Sequence, residues 1–121
     1  MANLEATVIE WLESLDGSAN DWEVSGDKPT DSPEQFITVD RTGGPREAMV
    51  LDRAEILIEV YHKTSRITAA NKADEIADAI VQLEAYSDDI THASVNSLVN
   101  LDDTLAQYHR YQIYCDIYNR R

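Results

Sequence analysis

A single cysteine, Cys115, leaves the chain without an internal disulfide, so packing must hold the fold and a reducing compartment is expected for folding. Glycine and proline are scarce, four and three in 121 residues, which confines the obligatory turns to a few places. No apolar run approaches the roughly 18 residues of a membrane span. The first fifteen residues carry three glutamates and no basic side chain, unlike a signal peptide, so neither a leader nor a membrane location is expected. Basic residues are outnumbered as well: ten Lys and Arg face 23 Asp and Glu, for a net charge of −13. Nucleic-acid affinity comes largely from neutralising phosphates with Lys and Arg, so this chain should be repelled by DNA. Plain solubility accounts for the acidity equally well.

Reactive chemistry is thin. His62, His92 and His109 show no His-x₃-His spacing and no Cys-x₂-Cys pair exists, which predicts no metal site. Cys115 runs in phase with Ile113 and Ile117 and reads as a small buried hydrophobe, whereas a nucleophile needs a polar, electropositive setting. Asp88-Asp89 and Asp102-Asp103 flank a candidate strand, where solvated turns belong. Gly43-Gly44 is followed by Pro45 and not by Lys-Ser/Thr, so it is no phosphate loop. The expectation is a protein without catalytic residues or cofactor, and not an enzyme.

What remains is a 43% hydrophobic, single-domain chain spanning residues 1–121. Its charge is blocked. Residues 1–40 hold ten acids against Lys28, and residues 73–109 hold eight acids and no base. Residues 41–72 and 110–121 are each weakly basic. Leu4, Val8, Trp11, Leu12 and Leu15 fall at helical spacing, with Asn3 as N-cap and Gly17 as the stop. Trp22 and Val24 suggest a short strand, and residues 25–34, with two prolines and four charges, a mobile loop. Gln35–Asp40 reads as a strand, Thr42-Gly43-Gly44-Pro45 as a turn, and residues 46–62 as a returning strand with Ala54, Ile56, Ile58 and Val60 on one side. A second helix is predicted from about Ile67 to Tyr86, with Ala69, Ala73, Ile76, Ala77, Ile80 and Leu83 as its buried stripe. Ile90–Leu101 follows as a strand with Ala93, Val95, Ser97, Val99 and Leu101 in phase. Tyr108–Tyr118 closes the chain, Tyr111, Ile113, Cys115 and Ile117 pointing one way. The predicted class is α+β: a mainly antiparallel sheet with an N-terminal helix and a second helix packed on one face.

Read in order, these segments resemble the tail-terminator (tail completion) proteins of long-tailed bacteriophages. The features are LEATVIEWLESL, then FITVDRTGGP, LDRAEILIEVYH, TSRITAANKADEIADAIVQL and the closing DDTLAQYHRYQIYCDIY, covering nearly all of residues 4–118. Order and spacing carry the resemblance; no single motif does. It implies a virion subunit forming a homo-oligomeric, hexameric ring on the tail tube. That ring ends tube growth and joins the head-completion or connector protein, with DNA passing through its lumen unbound. The subunit would sit at the head-proximal end of the tail after assembly in the host cytoplasm. A tail-tube or neck adaptor protein of the same small fold, or an unrelated α+β ligand-binding oligomer, remains as an alternative. Ring closure among acidic copies needs local charge matching. Arg41, Arg46, Arg53 and Arg66, on or beside the glycine turn, are the candidates, with Tyr114 and Tyr118 as amphipathic anchors on the wet face of the last strand. The competing expectation is that these arginines pair only within their own sheet.

Overall fold

The computed structural model describes residues 4–15, 22–31, 33–43, 51–105 and 107–120. Helix α1 is Leu4–Leu15, followed by strands β1 (Glu23–Ser25), β2 (Gln35–Gly43) and β3 (Leu51–His62). Helix α2 (Arg66–Ala79) tightens into a 3₁₀ turn at Ile80–Gln82 and resumes as α3 (Leu83–Tyr86). Strands β4 (Ile90–Asn100) and β5 (His109–Arg120) complete the chain. Asn3, Gly17, Gly44, Pro45 and Arg46, with the predicted strand's first residues 46–50, lie outside the described residues.

The α+β class holds. One five-stranded sheet has the order β1-β2-β3-β5-β4, antiparallel except for β1, which runs parallel to β2. The α2 segment carries the chain over the sheet, so β4 starts one strand beyond β5 and β5 returns into the gap beside β3. That central place suits β5, whose inward Ile113, Cys115 and Ile117 are all buried.

Both helices cover the same face. Leu4, Val8, Trp11 and Leu12 of α1 meet Ile37 and Val39 of β2, and Ala69, Ala73 and Ile76 of α2 lie over β3 and β5, in one continuous core. Period-two alternation in β3 puts Ala54, Ile56, Ile58 and Val60 into it at 0% exposure. Ser65 caps α2, its hydroxyl accepting from the Thr68 N–H at 3.1 Å. Small residues on the buried stripe let α2 lie close to the sheet, as expected. Ala77, however, is only half-buried, while Lys72 is 94% covered. The lysine stem packs inward and its ammonium emerges 5.8 Å from the Trp22 ring centre and 3.2 Å from Glu75.

Two expectations fail in β4 and on the uncovered face. Register shifts lie between Ile90 and His92 and between Val95 and Ser97. Each extra residue reverses the alternation that follows. Leu98 therefore packs on the core, while Val99 and Leu101 are 42% and 51% exposed, and the predicted single phase from Ala93 to Leu101 is wrong. The face away from the helices is not simply wet either. Phe36, Tyr61 and Tyr108 form a second buried cluster there, and Thr38 and Gln112 are buried beside it.

Candidate functional site

The uncovered sheet face is the candidate, because alternate residues of four long strands meet there without a helix above them. The register aligns Phe36 with Tyr61 and Arg110, Thr38 with Glu59 and Gln112, Asp40 with Leu57 and Tyr114, and Arg53 with Tyr118 and His92. At the end nearest the β4–β5 hairpin the surface is aromatic. Phe36 stacks on Tyr61 with ring centres 4.3 Å apart, and Tyr108 stands edge-on to both, at 5.2 and 5.8 Å. Lys28 and Arg110 face the Tyr61 ring from 5.4 and 5.9 Å. Burial, above all, raises the Tyr61 phenol pKa.

The loop at residues 25–34, expected to be mobile, is tied over this cluster. Lys28 Nζ lies 2.7 Å from the Asp103 carboxylate, and that hydrogen bond is the main cause of its raised pKa. The Tyr108 hydroxyl donates to the Pro33 carbonyl at 2.5 Å. The Lys63 backbone N–H donates to the Glu34 carbonyl at 2.8 Å. The first two ties join residues 75 apart in sequence, which is why local composition does not reveal them.

Beyond the aromatics lies a polar row. Glu59 accepts from the Gln112 amide at 3.1 Å and pairs with Arg110 at 3.4 Å, and the Tyr114 hydroxyl reaches Gln112 at 3.4 Å. Farther along, Glu55 is directly opposite Asp116 on the neighbouring strand. Like charges so placed work against the pairing that holds them. Around the hairpin base, Asp102 accepts from the Asn100 amide and the Arg110 N–H and pairs with Arg66 at 3.3 Å. Desolvation pushes this carboxyl up, but the Asn100 and Arg110 hydrogen bonds with Arg66 and His109 hold it below the ordinary range. The hairpin turn then exposes Leu105 at 98%, and Gln107 closes it with φ 61°, a left-handed conformation costing a non-glycine residue about 1–2 kcal/mol.

The predicted interface residues do not gather in one place. Arg41 is exposed on β2 opposite Ile56, beside the strand's irregularity. Arg53 lies opposite Tyr118 near the same end of the sheet. Arg46 falls outside the described residues. Arg66 is not beside the glycine turn: it starts α2 after the far end of β3, about 30 Å along the strand from Arg53. There it pairs with Asp102, within its own chain. Tyr114 is 37% exposed on the open face, and Tyr118 is half-buried with its ring 6.0 Å from His92.

Cys115 is 1% exposed, and burial with the Asp116 charge pushes its thiol up to about 12. His62 is buried, its Nδ1 accepting the Thr64 and Ser65 N–H groups and so shaping the entry to α2. His92 and His109 sit 3.2 Å from Glu84 and 3.7 Å from Asp102. Among the described residues no three His, Cys, Asp or Glu are grouped as a metal ion would require, and no helix is long and apolar enough to cross a membrane. Sequence reasoning passed over Leu105, Lys28 and the Glu59 row. Only Leu105 left a signal, as the one large aliphatic residue in the polar connection at 102–107.

No protein-family model matches this chain, and no curated protein does. The fold is shared with a chain of a solved structure described as the virion of native gene transfer agent (GTA) particle. The TM-score is 0.71, with 16% identity, over 98% of this chain and 95% of that one. At that identity the likeness is one of fold.

Proposed function

We propose that this protein is a structural subunit of a phage-like virion, and within it a tail terminator. Copies form a ring on the last ring of the tail tube, end its growth and offer the joining surface to the head connector. The observation that carries this reading is the end-to-end fold likeness to a chain of a gene transfer agent virion, which leaves neither protein with a large unmatched part. The segment order described above supports the finer assignment to the terminator.

The chemistry of the open face is consistent with a ring through which DNA passes. Asp40, Glu55 and Asp116 put carboxylates on that face, and the Glu55–Asp116 juxtaposition costs the fold something in isolation. Exposed carboxylates such as Asp40 and Glu55 repel phosphate, and Arg110 on the same face is already paired with Glu59, so DNA slides past and is not held. The one cysteine is buried and held protonated, which disfavours it as a nucleophile.

Tube assembly tests this. Purified chain added to polymerising tail-tube protein should cap one end and narrow the tube-length distribution in negative-stain images. Binding to the head connector with no effect on tube length would indicate a neck adaptor. Absence of binding to either would overturn the virion reading.

A further inference from the structure

We infer that the β4–β5 hairpin tip of one copy seats in a groove between α1 and α3 of another copy, making a head-to-tail contact between identical chains. The knob is Leu105, 98% exposed at the end of the hairpin. It makes no contribution to its own core, and the turn that presents it is closed through the left-handed Gln107. The groove has a volume of about 530 Å³ and is lined by Trp11, Ser14, Leu15, Gln82, Ala85 and Tyr86. Tyr86, at its rim, is 44% exposed.

Charge selects a second copy as the occupant. Two copies at −13 repel each other on the whole, and an uncharged patch is one place where they approach without that cost. None of the six groove residues is charged. Thr104, Leu105 and Gln107 at the tip are uncharged too, and the carboxylates at its base are engaged, Asp102 with Arg66 and Asp103 with Lys28. A basic partner would find no carboxylate among the groove's lining residues and only engaged ones at the base of the tip. Two uncharged surfaces, one protruding and one concave, are what like-charged copies need in order to meet through apolar contact.

Their placement fixes the type of contact. Strand β4 runs from Ile90, beside α3, to Asn100, at the hairpin, so eleven residues separate groove from tip by about 33 Å. Different patches at opposite ends make a heterologous contact, which propagates in one direction and either closes a ring or runs on as a filament. Closure, though not the contact itself, rests on the tail-terminator reading.

The test uses the whole chain. Leu105→Cys is prepared in one sample and Ala85→Cys in another; the buried Cys115 stays unreactive. Mixing under oxidation should give 105–85 cross-links in excess over like-with-like pairs. Leu105→Asp and, separately, Ala85→Arg should weaken self-association at least tenfold by sedimentation, with circular dichroism unchanged because both sites are exposed. Like-with-like cross-links alone would overturn the contact. So would unchanged association in both variants, or a native chain that remains monomeric at millimolar concentration. Normal tube termination by Leu105→Asp would overturn the contact and leave the function standing. Cross-linked copies that fail to regulate tube length would uphold the contact and sink the function.

Discussion

The two faces of the sheet are built from alternate residues of the same strands, yet they are held by different physics. On the helix-covered face Ala54, Ile56, Ile58, Val60, Ile113 and Ile117 are all 0% exposed, and burial of apolar surface dominates. On the open face the intervening positions mix Thr38, Glu59, Tyr61, Arg110, Gln112 and Tyr114, joined by ring contacts, ion pairs and hydrogen bonds. The first face tolerates no loss of volume, because nothing flows in to replace it. The second is made of directional contacts, each modest, which can be exchanged for a partner's.

The largest expected effect falls on the covered face. Ile58→Ala should cost about 2–5 kcal/mol in urea unfolding, through lost transfer energy and the cavity left behind. Val99→Ala, on the open side and 42% exposed, should cost no more than about 0.5 kcal/mol. Equal losses would mean that the open face is already a core. The covered face also carries a pH dependence. The Cys115 thiol is raised from 9.0 to about 12, chiefly by burial, so the folded state binds its proton more tightly than the unfolded state. The proton-linked stability is complete below pH 9 and is lost as pH climbs toward 12, at about 1.4 kcal/mol per unit once the unfolded thiol ionises. The raised Tyr61 phenol acts in the same direction. Cys115→Ala should flatten the decline above pH 9 in a pH series of unfolding curves; an unchanged slope would place its origin in Tyr61.

The covered face was also the legible one. Alternation in β3 and β5 and helical spacing in α1 identified their buried residues, because an aliphatic stripe has one period and one explanation. In β4 the two irregularities defeated the same method: a bulge has no sequence signature in ITHASVNSLVN and turns Val99 and Leu101 outward. On the open face alternation fails for another reason. Tyr108 is buried by the Pro33 loop through a contact that local sequence does not encode. Of the six interface candidates, Arg53, Tyr114 and Tyr118 do lie on the open face, whereas Arg66 was misplaced by treating nearness in sequence as nearness in space.

A smaller effect sharpens the contrast. Tyr108→Phe keeps the ring against Phe36 and Tyr61 but removes the hydroxyl that donates to Pro33. The loss should be about 1 kcal/mol, the net worth of one hydrogen bond. The loop at residues 25–34 should then be cut faster by protease, with the helix-covered core still protected. Cleavage unchanged from the native rate would assign the tether to Lys28 and Glu34 instead.

A still smaller loss than that of Tyr108→Phe is expected of Lys28→Ala. Lys28 closes the same loop with a 2.7 Å ion pair to Asp103, but its side chain is 52% exposed. An ion pair wet on one side gains little over its hydrated partners, so the substitution should cost about 0.5 kcal/mol. Salt gives the sharper measurement. Raising ionic strength from about 0.1 M to 1 M shortens the Debye length from about 10 Å to 3 Å and should erase most of the difference between native and variant chains. Tyr108→Phe, which removes a neutral hydrogen bond, should keep its full cost across the same salt range. If Lys28→Ala instead costs more than about 2 kcal/mol at every salt concentration, the pair is effectively desolvated. The loop would then belong to the core, and the open face would begin only at the Glu59 row.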